Sequence, residues 1–379
     1  MAVMGTRPDT IKMAPVVAAL RAAAPAVETI VCVTAQHREM LDDVLRIFDI
    51  VPDVDLDIMT KTQSLTDVTT RVLTKMEPVL AQYRPDVVLV HGDTTTSTAT
   101  ALAAFYAKIP VGHVEAGLRT ATIDEPFPEE LNRRVTGVIA RYHFAPTQRA
   151  KANLLAERLD GADVIVTGNT VIDAFLDTAR RIERLPVPPV LAGLDPARPL
   201  IFVTAHRREN HDAMPAIAQA VKAIAAFAQR PQILWPLHPS PQVAPVIRPL
   251  LEHVEGIYLT EPLDYATTVA AVSRCRFVLT DSGGLQEEAP TLGKPVLVMR
   301  RETERPEGLA AGTLRLVGAD PAEIVNWSRR LLEDTDGVYA AMAHASNPYG
   351  DGHAAGRIVA WLLWKLRRGP KPAEFLVAA

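Results

Sequence analysis

The sequence predicts an α/β protein made of two doubly wound, Rossmann-like domains, on three observations. The chain has 379 residues, more than one hydrophobic core usually organises, roughly 100 to 200 residues per domain being the norm. Short apolar runs rich in Val and Ile alternate with longer segments of helical period. The runs are apolar on both faces, as strands are when helices cover both sides of a parallel sheet. Finally, they form two series: TIVCVT, DVVLVHGD, PVGHVE, YHFAP and DVIVTG, then PLIFVTAH, QILWPLH, GIYLTE, RFVLTD and PVLVM. Between them lies the proline-rich ERLPVPPVLAGLDPARP, residues 183–199, which reads as a linker or surface insertion. The expected domains are 1–168 and 169–353, with a closing helix, 354–379, that comes after the second series and returns to the first domain.

Composition narrows the function. Apolar residues make up 48% of the chain and the net charge is −4, with a pI of about 6.2. This gives no general attraction to nucleic acid or to an anionic membrane, so any basic site must be local. Cys32 and Cys275 lie inside the apolar runs IVCVT and SRCRFVLT and read as buried thiols in a reducing cytoplasm. No window approaches the roughly 18 apolar residues of a membrane span, and no export signal is apparent. No Cys/His set has zinc spacing, and His206 and His238 follow separate strands, so neither a metal nor another cofactor is expected.

Taken in order, the segments place their chemistry at the carboxyl ends of strands. Only MAVM precedes GTRP, so the first strand is short or the true start lies upstream. In MGTRPDTIKMAP, residues 4–15, Thr6 with Asp9 resembles a capping box and Pro8 suits a first helical turn. Arg7 and Lys12 take no part in that cap; Lys12 would be ordinary on an exposed helix face, whereas Arg7, just past a strand, could fork onto phosphate oxygens. Asp93 follows VVLVHG, and AFYAKIPVGHV reads as a buried strand running into Glu115. The proline-rich turn beyond delivers Glu129 and Glu130, which point about 100° apart if the segment is helical. In the second series His206 follows LIFVTA, His238 follows ILWPL and Asp281 follows FVLT. In open α/β sheets this edge is where ligands bind.

The stretch DSGGLQEEAPTLGKPVLV, residues 281–298, is the clearest ligand motif. Ser282, Gly283 and Gly284 form a turn without bulky side chains, ahead of a helix start that can bind phosphate. An ordinary strand-to-helix turn capped by Ser282 explains the same residues. Neither GxGxxG nor GxxxxGK[ST] occurs. Arg305, just past PVLVM in the charged run RRETERPEG, is a candidate for holding a diphosphate.

GTRPDTIKMAP, TAQHREMLDDVL, HGDTTTSTATALAAF, HVEAGLRT, PFPEELNRR, VTGNTVID, TAHRREN, DSGGLQEEAPTLGKPVLVMRRETERPEG and NPYGDGHAAGRI together resemble the bacterial non-hydrolysing UDP-N-acetylglucosamine 2-epimerases, in order and across almost the whole chain. The resemblance implies two Rossmann-like domains facing a cleft, as in GT-B enzymes, and a UDP-sugar substrate. It implies epimerisation at C2 between UDP-N-acetylglucosamine and UDP-N-acetylmannosamine, through elimination of UDP to 2-acetamidoglucal and its re-addition. The expected setting is a cytoplasmic homodimer serving cell-envelope polysaccharide synthesis.

Residue by residue, the match makes Asp93, Glu115, Glu129 and His206 catalytic. Arg7, Lys12, Thr268, Ser282, Gly283, Gly284, Glu288 and Arg305 match substrate-binding positions, Thr268 through its backbone only. Gln36, Gln63, Glu129, Arg207 and His238 match an allosteric site for a second UDP-sugar, although Thr62 stands where that site has an arginine. Glu130 is expected to lie off the site and to tolerate change. A hydrolysing relative, an epimerase of a UDP-diacetamido sugar and a GT-B glycosyltransferase remain open at this stage, to be separated by their products.

Overall fold

The structure, a computed structural model, describes residues 1–36, 38–60, 62–157 and 163–377. His37 of the TAQHREM motif and the last two residues of the expected helix 354–379 lie outside the described residues. The chain divides into two compact units, one of Met1–Ala174 with Gly350–Leu376, the other built chiefly from Phe175–Tyr349.

Among the described residues the first unit carries a seven-stranded sheet: β1 (Ala2–Met4), β2 (Val31–Val33), β3 (Val54–Asp55), β4 (Val88–His91), β5 (Val111–Val114), β6 (Tyr142–Ala145) and β7 (Val164–Val166). Their order is β3-β2-β1-β4-β5-β6-β7, and the pairings are parallel. The second unit repeats the pattern with β8 (Leu200–Thr204), β9 (Gln232–Pro236), β10 (Ile257–Thr260), β11 (Phe277–Thr280), β12 (Val296–Val298) and β13 (Leu314–Leu316), in the order β10-β9-β8-β11-β12-β13. In each sheet the winding reverses once, between β1 and β4 and between β8 and β11. That reversal parts the flanking connections and leaves a crevice at the carboxyl ends of the two strands.

The strands form where Val, Ile, Leu and Phe run together because both faces are covered. Val3, Cys32, Val88, Val90 and Val111 pack with Val72, Met76 and Leu80 of the helix Leu65–Tyr83. Val203, Trp235, Phe277 and Leu279 pack with Ile217, Val221 and Ile224 of the helix Met214–Ala225. Both cysteines are buried and unpaired with each other, and burial pushes each thiol up to about 12. Among the described residues no helix is long and apolar enough to cross a membrane.

Three expectations need correction. AFYAKIPVGHV is not one strand: its first three residues end the helix Thr95–Tyr106, and only Val111–Val114 pairs in the sheet. Phe105 and Tyr106 are 60% and 70% exposed, so their apolar character does not reflect burial. The closing helix spans Ala354–Lys365 rather than 354–379; Phe375 beyond it donates its N–H to the Val166 carbonyl. The edge strands β3 and β13 have no counterpart among the expected runs. The proline-rich stretch contains one helical turn, Pro189–Ala192, and the helix Thr170–Ile182 before it carries the chain from the first unit into the second.

Candidate active site

The first cluster lies at the switch point of the first sheet. After β1 the chain must turn into the helix Arg7–Ala22 with almost no room: a Cβ on Gly5 would lie 2.1 Å from Thr34 Oγ1 and 2.6 Å from Thr96 Oγ1. Asp9 fixes the turn, accepting the N–H of Gly5 at 3.1 Å, the N–H of Thr6 at 2.7 Å and the Thr6 hydroxyl at 2.9 Å. Its burial pushes the carboxyl up to about 6 even against those hydrogen bonds. One and a half turns from the helix start, Lys12 comes within 2.5 Å of Glu115 Oε2.

Glu115 is the first residue after β5 and has a left-handed backbone, φ +62°, a conformation costing on the order of 1 kcal/mol or more for a non-glycine residue and concentrated at functional sites. Its side chain is 8% exposed. Besides Lys12, Oε2 accepts from Asn169 Nδ2 at 2.8 Å, and His91 Nε2 lies 3.8 Å away. Burial opposes ionisation, but Lys12, with help from His91 and Asn169, prevails and draws the carboxyl down to about 2. His91, at the end of β4, is held down to about 4 by burial, and its Nε2 has no hydrogen-bond partner. Two residues on, Asp93 takes the opposite course, raised by burial despite Arg133, whose Nη2 lies 2.7 Å from Asp93 Oδ2. His113 Nε2 donates to the Gly92 carbonyl at 2.7 Å, tying the turn that carries Asp93 to β5, which carries Glu115.

Glu129 heads the helix Glu129–Ile139 and is half-buried. Its neighbour Glu130 does not fit the expectation of an indifferent residue. It is 0% exposed, with Arg134 Nε donating to Oε1 at 2.9 Å and Arg133 Nη1 to Oε2 at 3.1 Å. Through Arg133 it is linked to Asp93, because a helix start packed against the sheet turns the second glutamate of the pair inward.

The second cluster occupies the switch point of the second sheet. Asp281, fully buried after β11, accepts the backbone N–H of His206 at 3.0 Å, that of Arg207 at 2.9 Å and Asn210 Nδ2 at 3.0 Å. His206 Nδ1 lies 3.2 Å from Asp281 Oδ1, and burial lowers the imidazole's proton affinity against that carboxylate's pull. The rings of His206 and His238 stack at 5.7 Å. The parallel sheet brings Asp281 to His206 across 75 residues. Among the described residues no group of three His, Cys, Asp or Glu is placed to hold a metal ion.

Beside Asp281, Ser282 precedes the short helix Gly283–Glu288. The Arg305 guanidinium lies over Gly283, 3.2 Å from where a Cβ would stand, and Glu288 folds back over Gly284 at 3.6 Å. Arg305 is paired with Glu287 Oε1 and Glu304 Oε2, both at 2.8 Å. The Thr268 hydroxyl donates to the Asp264 carbonyl at 2.8 Å within its own helix turn. Arg7 is the first residue of its helix and half-buried. Of the positions matched to an allosteric site, Gln63 Nε2 donates to the Gln36 carbonyl at 3.0 Å. Arg207 Nε is buried without a hydrogen-bond partner, and His238 Nδ1 accepts the Ser240 N–H at 3.1 Å.

Sequence reasoning missed Asn169, Arg133 and Glu287 altogether and noted Asp281 only as a strand end. Asp281 carried a signal, as a polar residue directly behind the apolar β11; Asn169 comes three residues after the end of β7.

Two Rossmann-like sheets with ionisable clusters at both switch points define an α/β enzyme of the GT-B type. A family model described as UDP-N-acetylglucosamine 2-epimerase matches residues 19–363, and the chain belongs to that family. The UDP-N-acetylglucosamine 2-epimerase of Salmonella typhimurium is 51% identical over 371 residues, covering 95% of this chain and 96% of its own. The crystal structure of UDP-GlcNAc 2-epimerase from Neisseria meningitidis bound to UDP-GlcNAc is 46% identical with a TM-score of 0.86, covering 96% of this chain and 99% of its own. The Methanocaldococcus jannaschii enzyme in complex with UDP-GlcNAc and UDP is 32% identical with a TM-score of 0.77, over 96% and 99%.

Proposed function

We propose that the protein interconverts UDP-N-acetylglucosamine and UDP-N-acetylmannosamine without hydrolysis. The observation that carries this reading is the pair of carboxylates at the first switch point, Glu115, 8% exposed and held by Lys12 at 2.5 Å, which draws it down, and half-buried Asp93, raised by desolvation. Two acids whose proton affinities are pushed apart are what an acid/base couple requires. Family membership supplies the substrate class.

The hydrogen at C2 is weakly acidic, since no carbonyl is attached to that carbon, and direct abstraction is slow. Elimination avoids the isolated carbanion. As the C2 proton passes to a carboxylate, the C–H electrons form the C1=C2 bond and the C1–O pair leaves on the UDP diphosphate oxygen. Re-addition then delivers a proton to the opposite face of C2 while the diphosphate oxygen re-forms its bond to C1. Glu115 is the group that begins ionised and Asp93 the one that holds a proton more readily. Glu129 completes the acidic set, and general acid–base groups of this kind each contribute about 10²- to 10⁴-fold. His206, oriented by Asp281, and the cations Arg305, Arg7 and Lys12 are assigned to the charge that develops on the diphosphate. Ser282, Gly283, Gly284 and Glu288 are assigned to the nucleotide, with the Thr268 backbone. Exposed Phe105, Tyr106 and Val138, on two helices that pack together, offer the apolar surface a homodimer would cover.

Incubation with UDP-N-acetylglucosamine in D2O, followed by NMR, tests the reading. The expected product is the C2 epimer still bearing UDP, with deuterium at C2. Accumulation of free UDP and free sugar would make the enzyme a hydrolysing one, and hydrogen retained at C2 would exclude the elimination route.

A further inference from the structure

The two oxygens of Glu115 keep different company. Oε2 accepts from Lys12 Nζ at 2.5 Å and Asn169 Nδ2 at 2.8 Å and has His91 Nε2 at 3.8 Å. Oε1 makes none of these contacts and is the oxygen nearer Gly92, 3.8 Å from where a Cβ on that glycine would stand. A carboxylate fixed through one oxygen can rotate only by breaking those bonds, so the second oxygen is presented in one direction.

Asn169, 3% exposed, is anchored independently. Its Oδ1 accepts the Val171 N–H at 3.1 Å and its carbonyl accepts the Ile172 N–H at 3.1 Å, at the entrance of the helix Thr170–Ile182. One amide group thus serves two structures, its oxygen binding the helix start and its nitrogen holding Glu115. Because the helix start fixes the amide plane, the nitrogen stays aimed at Oε2.

We propose that Asn169 is a positioning residue for Glu115, pinning Oε2 so that Oε1 is the oxygen that exchanges the proton with the sugar. The inference rests on the assignment of Glu115 as an acid/base group. Lys12 supplies charge to the same oxygen, but its long side chain gives no fixed direction; the short amide of Asn169 does. The charged or titratable groups facing Glu115 are Lys12 from the helix Arg7–Ala22, His91 from the end of β4 and Asp93 from the turn beyond it, and none of these is altered by changing Asn169.

The test uses two substitutions that both keep an oxygen for the helix start. Asn169→Ser retains a good capping residue but removes the amide donor. Asn169→Asp retains the cap and sets a second carboxylate against Oε2. The first is expected to lower kcat about 10- to 100-fold with little change in KM, the worth of a hydrogen bond to a charged group. The second is expected to move the titration of the Glu115 carboxyl, followed by NMR of the folded protein, upward by about one pH unit or more, as a like charge raises its proton affinity. Wild-type kcat in Asn169→Ser, or an unmoved Glu115 titration in Asn169→Asp, would overturn the proposal. If Asn169→Ser does not fold, Asn169→Asp decides. If neither folds, Asn169 acts in the fold alone and the proposal fails. Deuterium incorporation at C2 by the wild-type enzyme, scored in parallel, separates the two levels: its absence removes Glu115 from the chemistry, whereas its presence with unaffected variants removes only Asn169.

Discussion

Lys12 and Glu115 stand 103 residues apart in the sequence and meet at 2.5 Å, a cation from the first helix set against the first residue beyond β5. Replacing that lysine by methionine keeps the stem and deletes the charge. Glu115 loses the attraction that overrides its burial, so its proton affinity rises. In the wild type Glu115 stays ionised down to about pH 2 and sets no limit on activity near neutrality. In Lys12→Met the carboxyl protonates at higher pH, and activity that needs the ionised form is kept above the new value and lost as the pH falls through it. The pH profile of kcat/KM measures this directly; an acid limb no different from wild type would show that Lys12 does not govern Glu115.

The three glutamates separate into two kinds. Glu115→Gln and Glu129→Gln keep the shape and remove a proton site, and each is expected to lower turnover about 10²- to 10⁴-fold in a folded protein. Glu130→Gln removes the buried carboxylate that Arg133 and Arg134 share; Arg133 keeps Asp93 and the Arg134 side chain is 41% exposed, so the loss is about 1.5 to 3 kcal/mol, the worth of hydrogen bonds to a charged group. Urea unfolding should therefore show a clear loss for Glu130→Gln and for Glu115→Gln, which removes an ion pair from Lys12, and a small one for half-buried Glu129→Gln. Equal stabilities in all three would contradict the structural role of Glu130.

Arg305→Ala tests the nucleotide end. Loss of one charge-assisted contact should weaken UDP binding by ~1.5 to 3 kcal/mol in calorimetry. The same change removes an ion pair from Glu287, whose side chain is 7% exposed, so the melting temperature should fall as well. Restoring it with Arg305→Ala/Glu287→Gln, while UDP binding stays weak, would separate the two effects. Unchanged UDP affinity would remove Arg305 from the site.

Gly117 lies two residues past Glu115 with φ +93°, and a Cβ there would stand 2.3 Å from the Ala150 carbonyl oxygen. The obstacle is backbone and cannot swing aside. Gly117→Ala should destabilise the first unit by about 1 to 3 kcal/mol from overpacking, with about 1 kcal/mol or more from the left-handed backbone. Thermal melting measures it, and a wild-type transition would mean that the turn has another conformation open to it.

The double winding was legible because strands covered on both faces must be apolar throughout, and VVLVH or FVLT can be little else. β3 and β13 escaped because edge strands of two and three residues, Val54–Asp55 and Leu314–Leu316, have one flank open and carry charge. Phe105 and Tyr106 misled because apolar side chains also stand on surfaces. Within the site, the strand-end rule pointed to Asp93, Glu115, His206 and Asp281. It could not reveal that Asn169 would reach Glu115 or Arg133 reach Asp93, since Asn169 follows β7, two strands from β5 in the sheet, and Arg133 stands on the helix Glu129–Ile139, so both pairs depend on the tertiary packing. Nor could helical spacing choose which of Glu129 and Glu130 faces inward, for that depends on where the helix begins.

Asp173 accepts the N–H groups of Ala354 at 3.2 Å and Ala355 at 2.9 Å, and a Cβ on Gly350 would lie 3.1 Å from Ile172. The chain therefore departs from the first unit and re-enters it at adjacent points. In topological terms everything from Phe175 to Tyr349 is a domain-sized insertion into a continuous host. A short splice joining Ala174 to Gly350 would reconnect that host, and the junction would fall beside Asp173, the carboxylate that already holds both ends.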